Sequence, residues 1–127
     1  MVRVRYIVDD VDAAVDFYTG QLDFTEVMRP GPGFALVARE GLQLALSGTG
    51  GPGGGSQPMP DGRVPEPGGW NRIMLEVSDV AAEVERLRGA GVTLRSEIVE
   101  GRGVRQILVE DPAGNPVELF EPLSRES

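Results

Sequence analysis

The side chains whose type and spacing suggest chemistry fall on two strand-like segments: Arg3 and Arg5 near the start, and Arg72, Met74 and Glu76 in the middle of the chain. Residues two apart on a strand share a face. Alternation therefore sets Arg3, Arg5 and Ile7 on one face and Val4, Tyr6 and Val8 on the other, while Arg72, Met74 and Glu76 oppose Ile73, Leu75 and Val77. The apolar set of each segment reads as the core face, which leaves the arginines on the second face. A guanidinium presents N–H donors in a planar fork and has no lone pair to give. It binds carboxylate, phosphate or enolate oxygens and cannot ligate a metal cation. The chain contains no histidine and no cysteine, which removes a Ser-His-Asp triad, a thiol nucleophile, a thiolate zinc site and a disulfide framework.

The elements that must position these residues form a repeat. Segment 4–11, VRYIVDDV, matches segment 73–80, IMLEVSDV, in type and order, each reading as a strand that enters a helix. Asp10 and Asp79 stand where helix N-caps belong. Val11, Ala14, Val15, Tyr18 and Leu22 recur at helical spacing in the first copy, as do Val80, Val84 and Leu87 in the second. Gly20, Gly89 and Gly91 are breakers expected near the ends of these short helices. Short apolar runs then predict a meander at 34–38 and 42–46, and again at 105–109 and 116–120, with turns at Glu40-Gly41 and at 111–115, DPAGN. Module one is placed at 1–47, a Gly/Pro-rich connection at 48–69 and module two at 70–123, all within one domain. The connection is either a mobile linker or a loop working over a site, with Met59, Pro65 and Trp70 as its anchors.

At 127 residues the chain suits one cooperative unit. Its net charge of -8 repels nucleic acid and anionic membrane surfaces. No stretch reaches membrane-spanning length and the first residues have no signal-peptide pattern, so a cytoplasmic location is expected. The glycine run near residue 50 has no following Lys-Ser or Lys-Thr and is not a phosphate-binding loop.

The run YIVDDV at 6–11 leading to Phe17-Tyr18, its echo at 75–80, and the ending DPAGNPVELF at 111–120 together resemble the glyoxalase, bleomycin-resistance and extradiol-dioxygenase superfamily, the vicinal oxygen chelate fold. The resemblance spans nearly the whole chain. It implies an α+β architecture of two tandem βαβββ modules whose sheets form a cupped mixed sheet with a ligand cleft. In metal-using relatives four cleft-facing positions supply the ligands, and the motif alignment sets these at Arg3, Gln43, Arg72 and Glu118. Two of the four are arginine, and the absence of histidine excludes the iron site of ring-cleaving dioxygenases. No metal and no cofactor are therefore expected.

Two readings follow for the substituted site. Arg3 and Arg72 either pair with Glu118 and Glu76 in a salt-bridge network, or keep a guanidinium available for a ligand oxygen with Gln43 as a neutral partner. Trp70, Met74 and Phe120 are candidates for apolar contact with a bound molecule, with Phe34 beside them. The resemblance implies a metal-free protein that binds a small organic molecule, an antibiotic or a metabolite, as a homodimer. The alternative is a lyase or isomerase in which Glu118 is the metal ligand or the general base.

Overall fold

The computed structural model describes residues 1–49 and 54–123; the first four residues of the expected glycine run, 50–53, lie outside them. The elements are β1 (Val2–Val8), α1 (Val11–Gln21), β2 (Thr25–Gly31), β3 (Phe34–Arg39), β4 (Leu42–Gly48), a single 3-10 turn at Gly54–Ser56, β5 (Ile73–Glu76), α2 (Val80–Gly89), β6 (Val99–Gly101), β7 (Val104–Glu110) and β8 (Pro116–Pro122). Each half is one βαβββ module, and the two four-stranded sheets share one topology, β1-β4-β3-β2 and β5-β8-β7-β6. The first strand of each sheet runs parallel to the last, and the other pairings are antiparallel. A parallel pair needs a long crossover, which the helix of each module begins. The chain divides into two compact units, Met1–Gly68 with the turn Pro112–Asn115, and Gly69–Asp111 with Pro116–Ser127.

In the first unit the Asp10 carboxylate accepts the Ala13 amide at 3.1 Å and opens α1 as an N-cap. Val11, Ala14, Val15, Tyr18 and Leu22, read as the covering face of the helix, are buried with Tyr6 and Val8 from the face that alternation assigned to the core, and Val37, Leu44 and Leu46 join them. Tyr18 is the centre of an aromatic cluster, with the rings of Phe17, Phe24 and Tyr6 meeting it edge-on at 5.1, 5.4 and 6.4 Å. Contacts of this geometry add about 0.5–1.5 kcal/mol each beyond simple burial. The helix ends close to Gly20, as expected. It continues to Gln21, Leu22 and Phe24 both donate their amides to the Tyr18 carbonyl, and Asp23 takes the left-handed conformation at φ 60°. Leu22 and Phe24 both reach the core.

In the second unit Asp79 caps α2 by accepting the Ala82 amide at 3.0 Å, and Glu121 of β8 accepts the Val80 amide at 3.0 Å. Val80, Val84 and Leu87 cover an aliphatic core of Ile73, Leu75, Ile107, Val109, Val117 and Leu119. Here too the glycine reading holds: Gly89 is the last helical residue, Gly91 adopts φ 80°, and the Val92 amide returns to the Leu87 carbonyl.

The strands β2 and β6 were not located in the sequence. Neither buries a residue, and β2 reads TEVMRPG with a proline inside it. An edge strand with no core face has no alternation to reveal it. The anchor of the described connection also differs from expectation. Met59 and Trp70 are exposed, whereas Ser56 is buried and donates its hydroxyl to the Gly48 carbonyl.

Candidate functional site

Each sheet turns one face to its helix and carries the sequence-predicted site residues on the other. In the first unit that second face carries Arg3, Arg5 and Ile7 from β1, Gln43, Ala45 and Ser47 from β4, and Phe34 and Leu36 from β3. Arg3 lies directly opposite Gln43 in the ladder, and its Nε donates to Gln43 Oε1 at 2.7 Å. Arg5 reaches forward and donates Nη1 to Ser47 Oγ at 2.8 Å. Gly55 lies against the Arg5 guanidinium so closely that a Cβ on it would stand 1.8 Å from Nη1. The 3-10 turn of the connection thus rests on Arg5, and only glycine permits that approach.

In the second unit the corresponding face carries Arg72, Met74 and Glu76 from β5 and its approach, Glu118 and Phe120 from β8, and Gln106 and Leu108 from β7. The Arg72 side chain donates Nε and Nη2 to one oxygen, Glu118 Oε1, at 3.0 and 2.9 Å. A third donor, Nη1, reaches the Trp70 carbonyl at 3.3 Å. The Glu118 side chain is 4% exposed and that of Arg72 28%, so the carboxylate is buried and its counter-charge reaches water. The ladder places Met74, not Arg72, opposite Glu118. Arg72 therefore meets its partner by leaning two residues along the strand, whereas Arg3 meets Gln43 straight across. Met74, 58% exposed, and the half-buried Phe120 give this face its apolar surface.

The salt-bridge network expected from the sequence is present for one arginine only. Arg72 pairs with Glu118, while Arg3 takes the neutral Gln43. Trp70 is 67% exposed, with Arg95 over its ring at 4.7 Å from Arg95 Cζ to the ring centroid. Arg95 is itself held by Glu110 at 2.9 Å and the Gly69 carbonyl at 2.6 Å. One face of the indole is thus already stacked. Arg95, Ser47 and Gly55 escaped the sequence reading. Ser47 shares the Arg5 face by alternation and was readable, but Arg95 lies in a loop segment with no periodicity, and nothing in a glycine run marks which member touches a side chain.

The family's metal positions can be tested against these donors. A divalent ion needs three or more oxygen, nitrogen or sulfur donors from the protein or water, arranged around it with lone pairs inward. Arg3 and Arg72 have none to give, Gln43 Oε1 accepts from Arg3, and Glu118 Oε1 accepts twice from Arg72. Among the described residues no group of three or more His, Cys, Asp or Glu side chains is gathered for a metal. The donor set does not fit a metal ion. No described helix is long and apolar enough to cross a membrane.

Comparison with known proteins gives a consistent picture. No curated protein sequence matches the chain significantly. Among solved structures, the antibiotic binding protein TnmS3 from Streptomyces sp. CB03234 is 27% identical, with a TM-score of 0.70 and coverage of 94% of this chain and 93% of that one. A member of the glyoxalase/bleomycin resistance protein/dioxygenase superfamily from Sphaerobacter thermophilus DSM 20745 is 30% identical, with a TM-score of 0.72 and 94% of each chain covered. A lactoylglutathione lyase from Agrobacterium tumefaciens, 20% identical with a TM-score of 0.72 and coverage of 95% and 92%, shares the fold alone. A family profile covers residues 1–119, and with it the chain belongs to the glyoxalase/bleomycin resistance protein/dioxygenase superfamily.

Proposed function

We propose that this chain is a metal-independent binding member of its superfamily, which sequesters a small organic molecule, an antibiotic or a metabolite, without transforming it. The observation that carries the reading is the pair of side-chain contacts at the family's metal positions: Arg72 on Glu118 and Arg3 on Gln43. They place guanidinium groups where metal-dependent relatives need lone pairs. Exposed Met74 and half-buried Phe120 supply apolar contact in the second unit, with Trp70 and Glu76 near them in sequence. Resemblance to an antibiotic binding protein at 27% identity supports the same reading. The protein works in the cytoplasm as a homodimer, and the exposed edge strand β2 with Val27 and Met28 is a surface through which two copies can pair.

The test combines two titrations by calorimetry. Metal-stripped protein is titrated with nickel, zinc, cobalt and manganese, and then with a panel of antibiotics and aromatic metabolites. The reading expects no stoichiometric metal binding and saturable binding of at least one organic compound, recovered chemically unchanged. Tight metal binding that vanishes in Glu118→Gln would sink it. One observation favours a second reading, a metal-free lyase or isomerase: Glu118 is a buried carboxylate whose Oε2 takes no bond from Arg72. Under that reading Glu118 is the general base, and turnover disappears in Glu118→Gln while binding persists.

A further inference from the structure

We infer that the ligand carries an oxyanion, a carboxylate or a phosphate, and that Arg3 and Arg5 of the first unit receive it. The inference rests on the binding reading above and narrows the ligand's chemistry. Its starting point is an imbalance in how this protein uses arginine. All 12 of its basic residues are arginine, set against 20 acidic residues. Among the described residues every arginine but three has a carboxylate within 4.0 Å. The three are Arg3, Arg5 and Arg102. In so acidic a chain a cation without a counter-charge is the exception, and two of the three exceptions share one face of one strand.

Arg102 sits in a turn, at φ 49°. Arg3 and Arg5 are different. They lie two residues apart on β1, about 7 Å along the strand, and both are exposed. Each is oriented by a neutral acceptor, Gln43 Oε1 for Arg3 and Ser47 Oγ for Arg5. Those bonds fix direction without cancelling charge. Gly55 lies against the Arg5 guanidinium on one side. Arg3 spends only Nε and Arg5 only Nη1 on described partners, so Nη1 and Nη2 of Arg3 and Nη2 of Arg5 still carry N–H groups for a second acceptor. In the second unit the equivalent Arg72 is committed to Glu118. In this acidic chain the positive charge that remains uncompensated is local, paired and oriented.

The experiment labels arginine side chains with 15N and follows each Nε–H resonance while benzoate, phenyl phosphate, benzamide or benzylammonium is added. The inference expects benzoate or phenyl phosphate to shift the Arg3 and Arg5 signals and to leave Arg72 in place, with benzamide at least about tenfold weaker, the worth of a charge-assisted bond. Which of the two anions binds tighter separates a carboxylate ligand from a phosphate one. Arg3→Gln and Arg5→Gln should each weaken the anion about tenfold, whereas Arg63→Gln, an exposed arginine elsewhere in the first unit, should not. The shift map is read on the unaltered protein, so it stands even if a variant misfolds. Equal binding of benzoate and benzamide, preference for benzylammonium, or shifts confined to the second unit would overturn the inference and leave the binding reading intact. Failure of these probes and of the organic panel alike would overturn both.

Discussion

Replacing Arg72 with methionine should cost far more stability than removing the charge from its partner. The Glu118 carboxylate is 4% exposed and accepts two of the Arg72 donors on a single oxygen. Arg72→Met leaves that carboxylate buried with no counter-charge, a change that costs about 3–5 kcal/mol in fully buried pairs. Arg72 is 28% exposed, so water can take its place in part, and the lower end, about 3 kcal/mol, is the expected value. For a chain of this size that corresponds to a fall in melting midpoint of roughly 12 °C, at about 4 °C per kcal/mol. Glu118→Gln keeps an acceptor at Oε1 for Arg72, which is part-exposed to solvent, at a cost of about 1 kcal/mol. The double variant Arg72→Met with Glu118→Leu replaces the pair by apolar side chains and should come back to within about 1 kcal/mol of the parent. Urea unfolding followed by circular dichroism measures all three numbers. Arg72→Met proving no worse than Glu118→Gln, or a double variant no better than Arg72→Met, would refute the assignment of Glu118 as a buried charge held by Arg72.

Three further outcomes follow from the first unit. Gly55→Ala forces Arg5 off Ser47 and should cost about 1 kcal/mol, a cost that disappears when Arg5 is already alanine; equal costs in the two backgrounds would show that the glycine serves something else. Asn115 is buried, accepts the Gly68 amide at 2.7 Å and donates to the Ile7 carbonyl at 2.8 Å. Asn115→Ala should therefore cost about 2–3 kcal/mol in denaturant unfolding, more than Asn115→Asp, which retains the acceptor. Arg29, bonded to both Glu26 and Asp12, holds the Glu26 carboxyl below its ordinary 4.5, mainly through the side-chain hydrogen bond and secondarily through its charge. Because that folded value is depressed, the Glu26–Arg29 pair within β2 is complete above 4.5 and is lost as the pH falls through the lower value. A carboxyl NMR titration of Arg29→Gln should find the Glu26 midpoint back near 4.5, and an unchanged midpoint would count against the pairing.

The parts of the fold legible in the sequence were those with a buried side. Tyr6 and Val8, Ile73 and Leu75, and the helical spacing of Val80, Val84 and Leu87 announce themselves because each alternation or period is set by a core the residues must fill. The Asp10 and Asp79 caps were legible for a local reason: an N-cap acts on amides three residues away and needs no tertiary context. β2 and β6 were silent because edge pairing leaves no pattern in side-chain polarity. At the candidate site, the face of Arg3, Arg5, Arg72 and Met74 followed from alternation alone, but their partners did not. Whether Arg3 meets Gln43 or Glu118, and whether Arg72 leans two residues to reach its acid, depends on strand register, which the sequence of one strand does not contain. Asn115 was read as a turn former, and its bonds to Gly68 and Ile7 join residues far apart in the chain that only folding brings near.

The two halves differ at their arginine contacts in the charge of the acceptor as well as in register. Where Arg72 meets a carboxylate oxygen on Glu118, Arg3 meets a side chain of the same length and shape whose second oxygen is an amide nitrogen, Gln43. That one exchange switches a module between electrically closed and electrically open while leaving the strand geometry alone. A duplicated fold of this kind can therefore change which of its halves attracts an anion by interconverting Glu and Gln, without moving the backbone. Gln43→Glu would give Arg3 a counter-charge in the first unit, and Glu118→Gln would take the counter-charge of Arg72 away in the second.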